Sequence, residues 1–346
     1  MGLPPRSEVL LNSATKVLIK SALMRSRLTN VAALASETRV VVVRYHAVLD
    51  DPERYADSIG SGIIHPTDTF REHMEILARE YHPITLEDLR LFIAGEKDVP
   101  RRSVVVTFDD GYADNREIAA PILEHCGISG VFYVGVGAIE DKAVPWFCRL
   151  RYAFSVSKKE TIFDFREGRQ RPFKEPVDRY AAFLSASQRC ACLTRGKQDD
   201  ALQAIEHELA VCPLQPKDCR MMTWDQVREL RQRGHAVGSH TVTHPNLAKV
   251  SAEEVQYELG ESKRRLEEVL GEPVIHFSYP SPILQPHYTD ETRKASAHMG
   301  YKIAFTCTSG AVKVKDEPLA TRRISAPRDK TEFRWNLELA FLGATP

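Results

Sequence analysis

The chain has 346 residues, of which 43% are hydrophobic and 27% charged, with 47 Lys and Arg against 47 Asp and Glu. This composition excludes collagen, coiled-coil, long disordered and multi-pass membrane architectures, and it is typical of a protein with a sizeable core. Because the two signs of charge balance, we expect no nucleic-acid partner. The seven cysteines have no regular spacing, which argues against a disulfide framework and favours a reducing compartment.

Residues 8–29 form a basic amphipathic pattern near the start of the chain, with Lys16, Lys20, Arg25 and Arg27 as cations. Such a helix either docks on its own domain or lies on an anionic membrane surface. Its short apolar runs do not resemble the hydrophobic region of a signal peptide. We therefore predict a cytoplasmic protein, with peripheral contact to the inner membrane face as the alternative to docking. The sequence leaves the oligomeric state open.

Short apolar segments rich in valine, isoleucine and phenylalanine recur between helical patterns. Segments that are apolar on both faces are typical of parallel strands covered on both sides. The predicted strands are, in chain order, 40–43, 104–108, 131–136, 236–238, 274–277 and 303–306. Capping boxes predict helix starts at Thr69, Thr223 and Ser251. The alternation of strand and helix predicts an α/β fold with a parallel sheet, open or closed into a barrel.

One stretch, about 145–220, breaks this alternation. It is charged, largely helical in pattern and without a convincing strand, and we interpret it as a helical insertion. The predicted organisation is an N-terminal segment over 1–37, followed by one α/β domain over 38–346 that carries the insertion. We also predict that the insertion forms one wall of the active-site cleft and limits the cleft to short substrates.

The most informative segment is 104–112, in which a predicted buried strand ends in Asp109, Asp110 and Gly111. Folds of the α/β class place their active sites at the carboxyl ends of parallel strands. A glycine there lets the chain turn so that both carboxylates can serve one pocket. Two adjacent acids resist ionising together unless a cation lies nearby. The alternative at this point is a turn whose aspartates only cap the next helix.

A second polar segment, 238–245, follows another predicted strand and contains His240 and His244. Two imidazoles four residues apart can bind one metal ion, and Pro245 places the pair on a loop rather than within a helix. Alone this spacing is a weak signal. Its occurrence together with a pair of aspartates at a strand end is much more specific.

These segments resemble the motifs of the polysaccharide deacetylases, the NodB-like domains of carbohydrate esterase family four. The resemblance covers roughly residues 38–330. The matching segments are TFDDG at 107–111, HTVTH at 240–244, YHAV at 45–48, FSYP at 277–280 and the Arg-Ile pair at 323–324. Because YHAV precedes the aspartate motif, the chain resembles the branch of the family that has such a segment there.

The resemblance implies a distorted (β/α) barrel with a helical insertion. It also implies a metal-dependent hydrolase that removes N-acetyl groups from an acetamido sugar, saccharide or glycan precursor, so that the partner is an N-acetylated saccharide. Asp110, His240 and His244 would bind a divalent metal, foremost Zn²⁺, with Co²⁺, Mn²⁺, Ni²⁺ and Fe²⁺ as alternatives. Asp109 would be the base that takes a proton from water. His46 would be the acid that protonates the leaving amine.

Four further residues are expected on the substrate and oxyanion side: Tyr279, Pro280, Tyr112 and Arg323. A backbone N–H near Tyr279 would hold the oxyanion. Relatives often carry an arginine in the third motif that orients the base, and Ser278 stands at that place here. Arg323, or its neighbour Arg322, is the candidate replacement from a different strand.

Two other functions stay open on the sequence. The same site could hydrolyse another C–N bond, as a deformylase or a cyclic amidase does. The barrel could also be a non-catalytic module that binds glycans. For His46 the alternative is a structural histidine that closes its strand.

Overall fold

A computed structural model describes residues 37–164, 168–281 and 285–346 of the chain. Every predicted strand segment overlaps an observed strand within these residues. The amphipathic segment predicted over 8–29 lies outside them, so its docking and its membrane contact stay predictions. Among the described residues, no helix combines the length and the apolar character needed to cross a bilayer.

The strands are short, as is usual for a parallel sheet interleaved with helices. In chain order they are β1 (Val40–Tyr45), β2 (Ala47–Leu49), β3 (Ile64–Pro66), β4 (His82–Pro83), β5 (Ser103–Phe108), β6 (Gly130–Val134), β7 (Thr161–Asp164), β8 (Arg169–Pro172), β9 (Ala236–Ser239), β10 (His276–Ser278), β11 (Ile303–Phe305) and β12 (Ile324–Ser325).

The helices alternate with these strands over most of the chain. In chain order they are α1 (Thr67–Glu80), α2 (Leu86–Ala94), α3 (Ala120–His125), α4 (Val136–Glu140), α5 (Trp146–Val156), α6 (Pro176–Ala191), α7 (Arg195–Glu208), α8 (Trp224–Gln232), α9 (Ala252–Leu270), α10 (Asp290–His298) and α11 (Lys330–Phe341).

Eight strands form one sheet in the order β11-β10-β9-β6-β5-β1-β12, with β4 paired beside the start of β5. The strand pairs of this sheet are parallel. The sheet curls until its two edges meet at a parallel bridge between Phe305, at the end of β11, and Thr321, just before β12. This arrangement confirms the predicted α/β fold as a distorted (β/α) barrel.

The strands are apolar on both faces because each face packs in a different core. In β1, Val41 and Val43 pack with residues of the outer helices. Val40 and Val42 point to the opposite face and pack with side chains of neighbouring strands and of α2. All four valines are fully buried. Successive side chains of a strand point to opposite faces, so an unbroken run of valines satisfies both cores at once.

Two of the three predicted helix starts are confirmed. The hydroxyl of Thr223 accepts a hydrogen bond from the N–H of Gln226, and that of Ser251 from the N–H of Glu254. The start predicted at Thr69 is wrong, because α1 already begins at Thr67. Pro66 ends β3 directly before it and is the N-cap residue, without a side-chain hydrogen bond to the first turn.

The stretch predicted as a helical insertion contains α5, α6 and α7. These helices pack around a core of their own, with Leu150, Phe173 and Ile205 among its buried members. The stretch also contains an antiparallel hairpin of β7 and β8, which the sequence analysis missed. Strand β8 reads Arg-Gln-Arg-Pro and is largely exposed, so it has no apolar alternation to reveal it. The domain boundaries themselves stay a prediction.

Candidate active site

The turn predicted at Gly111 brings both strand-end aspartates into one site. The backbone φ angles are 77° at Asp110 and 87° at Gly111, in a region that costs a residue with a Cβ about 1–2 kcal/mol. A Cβ at Gly111 would lie 3.1 Å from side-chain atoms of Val134, so any larger residue would also have to displace that valine by a few tenths of an ångström. Asp109 and Asp110 are only 3% and 5% exposed.

The three predicted metal ligands lie together at the carboxyl ends of β5 and β9. The Nε2 atoms of His240 and His244 are each 3.4 Å from Oδ1 of Asp110, and the three ligand atoms all lie within 4.8 Å of one another. Two ligands that are each about 2.0–2.1 Å from a tetrahedral ion would be about 3.3–3.4 Å apart. The spacing of this carboxylate and these imidazoles therefore fits a divalent ion such as Zn²⁺.

The orientation and charge of these ligands also fit a metal. The Nδ1–H of His240 donates to the carbonyl of Ser278 at 2.8 Å, which leaves its Nε2 as the free lone pair. Burial opposes ionisation of Asp110, but the adjacent imidazoles of His240 and His244 outweigh it and hold the pKa of Asp110 well below its usual range. An ionised carboxylate is the form that a metal requires.

The histidine loop is held by a carboxylate that the sequence analysis did not single out. Glu258 of α9 accepts hydrogen bonds from the backbone N–H groups of Val242 and Thr243, at 2.7 and 2.9 Å, and from the Thr243 hydroxyl at 2.6 Å. These bonds fix the backbone between His240 and His244. Glu258 is one of several glutamates on its helix, but it is three residues after Val255 and lies on the buried face, a spacing that could have revealed it.

The predicted base, Asp109, is clamped by Arg323. The guanidinium donates to both carboxylate oxygens, at 2.8 and 2.7 Å, and both side chains are almost fully buried. Burial opposes the charge on Asp109, but the nearby Arg323 more than offsets this and lowers the pKa of Asp109. Arg323 therefore faces the base, whereas the sequence analysis also placed it on the substrate side. The neighbouring Arg322 is exposed.

The same guanidinium explains the departure at the third motif. Arg323 donates to the hydroxyl of Ser278 at 2.8 Å. The candidate replacement arginine thus contacts the serine at the third-motif position. The side chain thus reaches the base from beside β12 rather than from β10. The small serine leaves room for it.

His46 follows β1 and is half-buried. Desolvation lowers the pKa of His46 to about 4, although the nearby Asp110 and Asp109 partly counteract this. Its backbone carbonyl accepts a hydrogen bond from the side-chain amide of Asn115 at 2.7 Å, which ties it to the aspartate turn. His46 thus lies within the field of the cluster and is neutral at neutral pH.

The polar groups of two predicted oxyanion residues, Tyr279 and Tyr112, make hydrogen bonds elsewhere in the fold. The backbone N–H of Tyr279 donates to the carbonyl of Phe305 at 2.9 Å, and its hydroxyl donates to the carbonyl of Leu319. Pro280, which is buried, has no N–H to donate. Tyr112 is fully buried, with its hydroxyl 3.4 Å from the sulfur of Cys148. The polar groups of Tyr279 and Tyr112 therefore already have partners within the fold, and the substrate-side roles of these residues stay predictions.

The insertion contacts the histidine loop directly. The indole N–H of Trp146 donates to the carbonyl of His244 at 3.1 Å, and the ring of Phe147 lies 4.6 Å from that of His244. A cleft of about 650 Å³ opens beside this contact, with Asp110 and His244 in its lining and residues of α5 and α7 in its wall. The insertion thus walls one side of this cleft; its effect on substrate length stays a prediction.

The comparisons with known proteins agree with this geometry. The family described as polysaccharide deacetylase matches residues 96–304. YxkH of Bacillus subtilis, provisionally named a polysaccharide deacetylase, is 22% identical over 83% of this chain and 71% of its own. The solved Streptococcus pyogenes deacetylase PplD, in complex with acetate, has a TM-score of 0.58 at 19% identity and covers 88% of this chain and 99% of its own.

A second solved structure, IcaB from Ammonifex degensii, has a TM-score of 0.57 at 18% identity, with 88% of this chain and 99% of its own covered. At these identities the two structures show a shared fold. The family match spans more than half of the chain and includes both the aspartate turn and the histidine loop. The chain therefore belongs to the polysaccharide deacetylase family.

Proposed function

We propose that this protein is a metal-dependent hydrolase that removes N-acetyl groups from an acetamido sugar, saccharide or glycan precursor. One observation carries the proposal: the cluster of Asp110, His240 and His244 lies at the same strand ends as a carboxylate, Asp109, clamped by Arg323. Family membership supports the deacetylase activity, and the donor set supports the metal.

A divalent ion held by Asp110, His240 and His244 would supply Lewis acidity, which makes a bound water more acidic and polarises an amide carbonyl. One carboxylate and two imidazoles leave coordination positions open, as catalytic sites require. Zn²⁺ is the foremost candidate for this set of one oxygen and two nitrogen donors, which also suits Fe²⁺.

Asp109 takes the proton of the attacking water. Its two oxygens are oriented by the guanidinium of Arg323, so the carboxylate is held in one position and stays ionised across the physiological pH range. The water oxygen bonds to the acyl carbon, the C–N bond breaks, and the products are acetate and a free amine. The leaving nitrogen takes up one proton.

His46 supplies that proton in this proposal. Since the pKa of His46 is about 4, the imidazole is neutral in the resting site at neutral pH. Its role is therefore to relay to the leaving nitrogen the proton that Asp109 has taken from the water, not to store one beforehand. Because Tyr279 and Pro280 offer no free N–H, the first backbone donor beyond β10 that can assist the oxyanion is that of Ser281.

Metal content and acetate release test the proposal together. Elemental analysis is made on the wild type, on His240→Ala/His244→Ala and on His207→Ala, an exposed histidine of the insertion that serves as the control. We expect about one ion per chain in the wild type and the control, and none in the double variant. No ion in any of them after incubation with Zn²⁺, Co²⁺ or Mn²⁺ would overturn the metal assignment.

Acetate release from N-acetylated oligosaccharides is then measured for the wild type and Asp109→Asn. We expect Asp109→Asn to retain the ion and to lose activity by about 10²–10⁴-fold, the usual contribution of a general base. Equal activity in the two proteins would remove Asp109 from the base role. Faster release of formate from formylated analogues than of acetate would favour a deformylase instead.

A further inference from the structure

The cleft beside Asp110 and His244 continues along the insertion, which supplies part of its wall. Its volume of about 650 Å³ lies within the range of small-molecule sites. Three guanidinium groups line it, those of Arg149, Arg195 and Arg265, in addition to the aromatic side chains beside the histidine loop.

Two of these three guanidinium groups pair with carboxylates within the fold. Arg149 donates to both oxygens of Glu206, at 3.0 and 2.7 Å, and to Asp199 at 2.7 Å. Arg265 donates from its Nε to Glu261 at 2.8 Å, a carboxylate that a second arginine of α9 also contacts. A guanidinium that already faces a carboxylate attracts a further anion less strongly than an unpaired one does.

Arg195 differs from the other two. Its guanidinium carbon lies 4.3 Å over the ring of Tyr257, and in the part of the chain that the structure describes it has no carboxylate within 4.0 Å. Its charge is the smallest of the named causes that lower the pKa of Glu254, and Glu254 already accepts a hydrogen bond from Thr194. The stacked ring restricts the guanidinium without using its donors.

Carboxylates also line this cleft, so its field is not uniformly positive. Glu140 accepts a hydrogen bond from the indole of Trp224 at 2.8 Å, and Asp141 follows it at the end of α4. The cleft is thus polarised, with the ligand cluster at one end and an unpaired guanidinium in its wall. An anionic group fits beside Arg195 and is disfavoured beside Glu140 and Asp141.

From this arrangement we infer that the substrate is an N-acetylated saccharide that carries an anionic substituent, a phosphate or a carboxylate, which pairs with Arg195. The inference rests on the proposed function, because it places the acetamido group at the Asp110 end of the cleft. A guanidinium binds either anion through two parallel N–H donors, so Arg195 recognises the chemistry that the two share.

The test compares binding and turnover of three probes built on one N-acetylated oligosaccharide: neutral, carrying a phosphate monoester, or carrying a carboxylate. Binding is measured by calorimetry on zinc-loaded Asp109→Asn, so that this readout does not depend on turnover. We expect an anionic probe to bind about tenfold more tightly than the neutral one, and Arg195→Gln in the same background to abolish that difference. Lys197→Gln is the control, since Lys197 is exposed two residues away and is not part of the cleft wall.

Each outcome decides something. Tighter binding of only the phosphate or only the carboxylate probe supports the inference and identifies the anion. Equal binding of all three probes, or an anion preference that Arg195→Gln retains, overturns it, while acetate release from the neutral probe by the wild type would still uphold the proposed function. An anion preference without acetate release from any probe upholds the charge recognition and refutes the deacetylase.

Discussion

The barrel end and the insertion differ in how completely they bury paired charge. At the barrel end, Asp109, Asp110 and Arg323 are each at most 5% exposed, and Arg323 holds Asp109 through both carboxylate oxygens. In the insertion the carboxylate of Glu206 is also buried, but its partner Arg149 reaches the surface. Buried charge is expensive unless it is paired, so it persists where chemistry needs it. The comparison predicts that substitutions at the barrel end cost more than those at the insertion contact.

The largest effect is expected from Arg323→Ala. Its removal leaves Asp109 buried without a partner, which typically costs about 3–5 kcal/mol in the free energy of unfolding. Urea denaturation measures that loss, and acetate release should fall at the same time because the base is no longer oriented. Arg323→Lys keeps the charge but not the two-pronged contact, and should fall between the wild type and the alanine variant.

Arg322→Ala is the matched control for this prediction. Arg322 is the exposed neighbour in sequence, and its substitution should change the free energy of unfolding by no more than about 0.5 kcal/mol. Similar losses in the two alanine variants would show that the clamp on Asp109 is not what stabilises this end of the barrel.

A second prediction concerns Glu258, which supports the ligands without touching a metal itself. Glu258→Ala removes the acceptor for two backbone N–H groups and one hydroxyl, so we expect metal affinity to fall about 10–100-fold. Glu258→Gln keeps an acceptor oxygen and should lose much less. Competition with a chelator measures the affinity directly, and Glu253→Ala, an exposed position on the same helix, is the control. Unchanged affinity in Glu258→Ala would mean that the loop keeps its shape without this carboxylate.

The sequence predicted the parts of the site that are close together along the chain. Asp109 and Asp110 are adjacent, and His240 and His244 share one short loop, so their spacing along the chain was enough to predict each pair. Family resemblance then named their roles. Arg323 could be proposed only as one of two neighbours, because its contact with Asp109 spans more than two hundred residues and depends on how the sheet curls.

The oxyanion residues show what such reasoning leaves out. Tyr279 matched a motif, but the pairing of β10 with β11 already uses its backbone N–H. Which N–H groups a sheet consumes depends on strand register, and register is not visible in a three-residue strand. Glu258 was missed for a related reason: its value comes from the loop that packs beside it.

Acid should weaken the barrel before it affects the insertion. His73 is fully buried. Its Nδ1 shares a hydrogen bond with the Tyr45 hydroxyl at 3.1 Å, and its ring stacks on that of Phe333. Desolvation lowers the pKa of His73 to about 3. Below pH 6.5, the ordinary pKa of histidine, the unfolded chain therefore takes up a proton that the folded state does not. The stability that this provides is present above pH 6.5 and is lost as the pH falls towards 3.

For His73 alone this linkage amounts to about 2 kcal/mol between pH 7 and pH 5. Urea denaturation at the two pH values should therefore show a smaller pH dependence in His73→Gln than in the wild type. His207→Gln, at the exposed histidine of the insertion, should retain the wild-type dependence. An equal reduction in both variants would contradict the assignment of acid sensitivity to the barrel.

The smallest effect is expected at the contact that joins the two regions. Trp146→Phe removes the hydrogen bond from the indole to the His244 carbonyl and keeps most of the ring, so it should cost about 0.5–1.5 kcal/mol. Trp224→Phe removes a comparable but exposed hydrogen bond, to Glu140, and should cost less. Metal content should stay the same in both variants, because neither indole contacts a ligand atom. If Trp146→Phe instead loses the metal, the insertion helps to shape the ligand loop. The metal site would then depend on the insertion as well as on the barrel end.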